Sequence, residues 1–96
     1  MLEIKVPYKK GDVISMKLAS GEEVVARLEE EEGGEMIVTK PMMLVQAQEG
    51  LGLAPFMFSV DPTAKFNIKV ANILCVSKSE ESFGKQYLEQ TTGIQV

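Results

Sequence analysis

The sequence contains no histidine and only one cysteine. Without histidine the usual general base is missing, and so are the Ser-His and Cys-His nucleophile pairs. One cysteine cannot close an intrachain disulfide, and without histidine it completes no zinc-binding spacing. No glycine-rich phosphate loop occurs either, because Gly50-Leu-Gly52 is too short and precedes a strand-like run. These absences speak against an enzyme, a bound metal or a cofactor. No run approaches the roughly 18–20 apolar residues that span a bilayer, and Met1–Lys10 lacks an apolar signal core. A soluble, cytoplasmic protein with no membrane partner is expected. Positive charge is also scarce: ten Lys and Arg against fourteen Asp and Glu give a net charge of −4. That argues against coating nucleic acid through bulk positive charge, though a local basic ring stays open.

What the chain has is a folded protein's composition, 45% hydrophobic and 25% charged, in 96 residues. That is one domain's worth of chain. Ile4 and Val6 alternate with charged neighbours and could form an edge strand before Gly11-Asp12. Ile14, Met16 and Leu18 alternate with Ser15, Lys17 and Ala19, the period of a half-buried strand. After a Ser20-Gly21 turn signal, Val24, Ala26 and Leu28 repeat the pattern, so the two runs read as a hairpin. Glu29–Glu32 ends the second strand as a solvated tip, and Gly33-Gly34 supplies the positive φ of a tight turn.

A third strand is predicted from Met36 to Ala47, interrupted at Pro41, which marks a bulge, bend or exposed edge. Leu53–Val60 reads as a fourth strand, with Phe56, Phe58 and Val60 on one face and Met57 on the other. Asp61-Pro62-Thr63 is a turn, and Phe66–Val76 a fifth strand with a bulge near Ala71-Asn72. In the tail, Ser79 can cap a helix; Ser77 with Glu80 has capping-box spacing and offers another start. Phe83, Tyr87 and Leu88 follow at helical spacing, and Gly93 is a plausible stop.

Five short strands with Gly and Pro at their corners predict a mainly β fold: a small five-stranded antiparallel, SH3-like barrel over residues 12–77. A short helical tail over 79–92 completes a single domain, residues 1–96. The uncharged fourth strand would be an aggregation hazard if left open. A second copy is the economical cover, which makes Leu53, Phe56, Met57 and Phe58 candidate interface residues together with Ile73, Leu74, Cys75 and Val76. Cys75, between Leu74 and Val76, reads as a buried small hydrophobe, and Phe56, Phe58 and Phe66 as core packing in preference to base-stacking platforms. Met16, Met36 and Met57 also read as packing.

Two stretches carry a family resemblance. Leu18-Ala-Ser-Gly21, with the strand after it, is similar to the first signature of Sm-like proteins, a Leu-x-x-Gly turn leading to Asp-x-x-Met-Asn. Ile68-Lys-Val-Ala-Asn-Ile-Leu-Cys-Val76 resembles their second signature, Ile-Arg-Gly-x-x-Ile-x-x-Ile, at its three apolar anchors and with Lys for Arg. The stretches Thr39-Lys-Pro-Met, Pro55-Phe-Met-Phe-Ser-Val-Asp-Pro and Tyr87-Leu-Glu-Gln-Thr-Thr-Gly-Ile resemble uncharacterised Sm-like proteins of tailed cyanobacterial phages.

The resemblance implies a homo-oligomeric ring of about five to seven subunits, with RNA as a second partner and, for a viral protein, the host cytoplasm as its place. In the family, an Asp and an Asn after strand two and an Arg-Gly after strand four form a base-binding slot. Here Glu32 stands where that Asp would be, Glu35-Met36 replace Met-Asn, and Val70 replaces the glycine. Only Lys69 keeps its charge class, so the ring is expected to carry over better than the slot.

Lys69, Asn72 and Lys40 are the candidate RNA contacts. Each has a plainer alternative: Lys69 as a solvated lysine, Asn72 satisfying backbone groups beside a bulge. Lys40 and the Lys5/Lys9/Lys10 cluster could form a rim multiplied by symmetry, but Glu29–Glu32 would be multiplied equally. Two functions follow: an RNA-associated ring affecting RNA metabolism, or an oligomeric scaffold or protein-binding adaptor that has lost the RNA site.

Overall fold

A two-residue alternation of apolar and polar side chains organises the first half of the molecule, as the sequence predicts. The computed structural model describes residues 8–92; the edge strand predicted at Ile4 and Val6, Lys5 of the lysine cluster, and the stop predicted at Gly93 lie outside them. Strands β1 (Val13–Leu18) and β2 (Glu23–Glu32) form the expected antiparallel hairpin, with Ile14 opposite Ala26 and Met16 opposite Val24. Gly21, at φ +108°, makes the turn. Strand β2 runs through the acidic stretch to Glu32, so Glu29–Glu32 belongs to a strand instead of ending it. Gly33 and Gly34, at φ +58° and +78°, then reverse the chain in two residues, the geometry that favours glycine at both centres of a hairpin turn.

Strand β3 (Glu35–Ala47) pairs with β2 from Glu35 to Met43. Near Lys40-Pro41 it carries one more residue than β2, because Val25 faces Met42 while Arg27 faces Thr39. Proline cannot donate to the ladder, and Lys40 takes a φ of +50° to absorb the extra residue. The predicted bend is therefore a bulge. It divides the outer edge of β3 between two partners: β4 (Gly50–Pro55) lies along Met42–Ala47, and β5 (Lys65–Lys69) along Glu35–Thr39.

The described residues form six strands, not five, and among them the barrel is not closed. The expected fourth strand stops at Pro55, where the Phe56 amide turns inward to donate to the Pro41 carbonyl at 3.0 Å. Phe56 thus packs against the core, whereas Met57 and Phe58 point outward at 44% and 83% exposure. Their predicted packing roles fail because the segment has left the pleat.

The expected fifth strand is two strands. A 3₁₀ turn at Val70–Asn72 separates β5 from β6 (Ile73–Lys78), and β6 crosses to pair with β1. Ladder pairs link β5 to β3 and β6 to β1, which leaves the sheet order β4-β3-β2-β1-β6 open at both ends. In β6, Ile73 faces Leu18 and Cys75 faces Lys17, so Leu74 is a bulged residue. The bulge reverses the side-chain phase, turning Ile73 and Val76 toward the core and leaving Leu74 and Cys75 exposed. Cys75 is a surface thiol, contrary to the buried role expected of it.

The core is Ile14, Met16, Leu18, Val24, Ala26, Leu28, Met36 and Val38, all buried, with Phe56, Phe66, Ile68, Ile73 and Val76 packed against it. Val25 points to the opposite face yet is fully buried. Helix α1 (Glu81–Thr92) explains why that face can hold apolar surface, since Tyr87 is buried on it at 1% exposure beside Arg27. The helix crosses the sheet: the Ser79 amide bonds to the Val13 carbonyl at its start, and Gly84 faces Val13. Neither Ser79 nor Ser77 caps it. The Ser79 hydroxyl pairs with Ser15 at 2.7 Å, and the Glu80 carboxylate accepts the Ser82 and Phe83 amides at 3.1 Å each. A carboxylate there gains from both the free amides and the helix dipole.

The far end of α1 is held by the β3 bulge. The Tyr87 hydroxyl donates to the Thr39 carbonyl at 3.1 Å and the Lys40 carbonyl at 2.8 Å. In return Lys40 Nζ donates to the Thr91 carbonyl at 3.0 Å, satisfying one of the helix's last acceptors. Burial pushes the Tyr87 hydroxyl's pKa far above that of ordinary tyrosine, so it remains a donor.

Tyr87→Phe removes that donor and strands two carbonyls. We expect a loss of about 1–2 kcal/mol in urea denaturation, with faster amide exchange in α1. Hydrogen bonds from Ser82 and Phe83 hold the Glu80 carboxyl below its ordinary 4.5. A lowered folded-state pKa contributes stability above the unfolded value, and that contribution is lost as pH falls through the folded one. Helical circular dichroism should therefore weaken on acidification below about pH 4.5, and Glu80→Gln should flatten that part of the profile.

Candidate functional site

The two segments that resemble family signatures meet at one end of the sheet. Strand β5 lies beside the start of β3, placing Glu35 opposite Lys69 and Met36 opposite Ile68. At the next step the Val70 amide donates to the Gly34 carbonyl at 2.9 Å, joining the β2–β3 turn to the 3₁₀ turn. Lys69 precedes the 3₁₀ turn and Asn72 is its last residue, and both are exposed. The Asn72 carbonyl accepts the Ala19 amide at 2.7 Å, tying the same turn to the β1–β2 hairpin. Three turns are thus drawn together around Lys69–Asn72.

The electrostatics of this end are acidic. Lys69 Nζ lies 3.8 Å from the Glu35 carboxylate, which also accepts Asn67 Nδ2 at 3.3 Å. Glu32 faces Glu35 across the tight turn, and Glu30 and Glu31 precede it on β2. Met36, in the place of the family's asparagine, is 1% exposed and serves the core. The Val70 amide, where the family has glycine, is already engaged with Gly34. A slot for a base has neither its asparagine nor a free backbone approach.

Lys40 is elsewhere. It stands five residues along β3 from Glu35, about 17 Å at roughly 3.3 Å per residue, with its ammonium on the helix terminus. The structure therefore brings Lys69 and Asn72 to one turn and gives Lys40 a structural task. Among the described residues, no cluster of Cys, Asp and Glu could hold a metal ion, and no helix is long and apolar enough to cross a membrane.

The predicted interface residues divide into two groups. Leu53 lies on β4, which among the described residues pairs with β3 alone, while Met57 and Phe58 follow it at the surface. Leu74 and Cys75 lie on β6, which among the described residues pairs with β1 alone. Phe56, Ile73 and Val76 pack against this chain's own core and are only partly exposed. Leu51, at 62% exposure on β4, belongs with the first group. Sequence reasoning missed it because the strand starts earlier than the run of large side chains, at a glycine with φ +121°.

No protein-family model matches the chain, and no curated protein matches it. Among solved structures, the chain is similar to an archaeal Sm protein described as heptameric, in work addressing the eukaryotic snRNP core. The TM-score is 0.51 at 11% identity, over 74% of this chain and 90% of that one. The similarity shows an Sm-like fold, mainly β, with one C-terminal helix on this chain.

The Lys69–Glu35 pair is exposed, at 72% and 36% for the two side chains. Lys69→Ala should shift stability by no more than about 0.5 kcal/mol in urea denaturation. A larger loss would mean that Lys69 holds the junction of turns together.

Proposed function

We propose that this chain is a non-catalytic, ring-forming Sm-like protein in which β6 of one subunit pairs with β4 of the next. One observation carries the reading. Among the described residues the antiparallel sheet is open, and β4 and β6 lie at opposite ends of the order β4-β3-β2-β1-β6. Free edges bearing apolar side chains invite pairing with another chain. Two different edges make the contact head-to-tail, which closes into a ring when the rotation per subunit permits. The heptameric assembly of the archaeal Sm protein supports the same arrangement. The ring acts in the cytoplasm, that of the host if the resemblance to phage proteins reflects descent, and presents a repeated surface as a scaffold.

RNA contact at the Lys69–Asn72 turn is a second reading, favoured by the bond that joins Gly34 to Val70 and gathers both signature segments at one place. The carboxylates of Glu32 and Glu35 weigh against it, so any such contact is weak and salt-sensitive.

Light scattering on the purified protein should give a mass that is a multiple of 10.6 kDa. A single-subunit mass at high concentration would overturn the assembly. Mobility shifts with uridine-rich and adenine-rich RNA at two salt concentrations test the second reading. Binding at low salt that Lys69→Ala abolishes would place RNA at this turn; no shift at low salt leaves the scaffold alone.

A further inference from the structure

Beside β4 lies an open, mainly apolar groove of about 330 Å³ that the reading above leaves unused. Its walls come from Pro41 in the β3 bulge, Pro55, Met57 and Phe58 at and beyond the end of β4, Phe66 on β5, and Gln90 and Thr91 on the last turns of α1. Asp61 borders it as well, with its carboxylate accepting the Thr63 amide and hydroxyl at 2.7 and 2.6 Å. Phe58 is 83% exposed at its rim. Lys40 also borders it, but its ammonium is engaged with the Thr91 carbonyl, so no free cation is presented there. The groove suits an uncharged side chain.

On the other free edge, Leu74 is the bulged residue of β6 and stands 69% exposed. Every ladder among the described residues is antiparallel. If β6 of a second copy extends β4 in the same sense, the start of β6 falls beside Pro55 and its end beside Gly50. Leu74 then arrives at the mouth of the groove, and Lys78 arrives near Glu49. The parallel alternative would take Leu74 to Leu51 and Lys78 to uncharged Pro55.

We infer that the groove receives Leu74 of a neighbouring copy of this chain, so that helix α1 supplies one wall of the subunit interface. The inference rests on the head-to-tail assembly proposed above and adds its direction, its anchor residue and a role for the helix. Burying a leucine at an interface changes a dissociation constant by about ten- to a hundredfold. Leu74→Ser and Phe58→Ser should each raise the concentration at which particles dissociate by that factor. The double variant should do less than the product of the two, because both remove one contact. Both side chains are exposed in the single chain, so neither change disturbs its core.

A benzophenone-bearing amino acid at position 74 reads the occupant directly. On irradiation, and after digestion and mass spectrometry, it should join residues 55–62 or 90–91 of another copy. Cross-links to the neighbourhood of Leu51, or unchanged dissociation in both serine variants while the particle stays oligomeric, would overturn the seating of Leu74 and leave edge pairing standing. A wild-type protein that stays a single subunit removes the assembly itself, and this inference with it.

Discussion

The bulge at Lys40-Pro41 is the constraint on which the remaining architecture depends. A regular third strand would keep one partner along its outer edge. With an extra residue inserted, that edge serves β5 over its first half and β4 over its second. The same local twist turns the Thr39 and Lys40 carbonyls to the Tyr87 hydroxyl and sends the Lys40 ammonium to the end of α1. A non-glycine residue at φ +50° costs on the order of 1–2 kcal/mol, and the bonds at Tyr87 and Thr91 are the compensation within reach. The division of the outer edge of β3 and the helix's seat therefore meet at one bulge.

The first half of the fold was legible because it obeys a single period. Ile14, Met16, Leu18, Val24, Ala26 and Leu28 are inward on alternation alone, and paired glycines specify the turn that follows. Legibility fails wherever one inserted residue changes the phase. Leu74 is such a residue: reading Ile73–Val76 as a uniform apolar run hides that the bulge turns Cys75 outward. Pro55 fails the reading differently: it pairs in register with Met42, but as a proline at the strand's end it lets the next residues leave the sheet while their composition still looks like strand. At Val70–Asn72 a bulge was expected, but three residues of 3₁₀ turn carry the chain across to β1, a difference that propensity does not encode.

The candidate site divides along the same line. The sequence reads Lys69 and Asn72 as parts of one bulged strand, whereas Lys69 ends β5 and Asn72 ends the 3₁₀ turn that follows it. Sequence spacing could not reveal that Lys40 is held by a helix terminus, because that contact joins residues 51 apart in sequence. Nor could it show that Met36 is a core residue first, although its position in the inward series with Val38 gave the hint. Tyr87 went unnoticed as an anchor because helical spacing marks it only as one of three apolar positions, Phe83, Tyr87 and Leu88. Its hydroxyl is what selects it, as a buried tyrosine needs an acceptor.

Charge and shape point to different parts of the molecule as the place where this fold meets a partner. The turn of Lys69 and Asn72 offers a recognisable position but sits among carboxylates, and ring symmetry would multiply both signs alike. The free edges of β4 and β6 carry the exposed leucines at 51 and 74, and β4 has no ionic group to desolvate. An interface gains most from apolar anchors in pockets and loses when unpaired charge is buried. By that measure another copy of the chain is better served by these edges than a polyanion is by the turn.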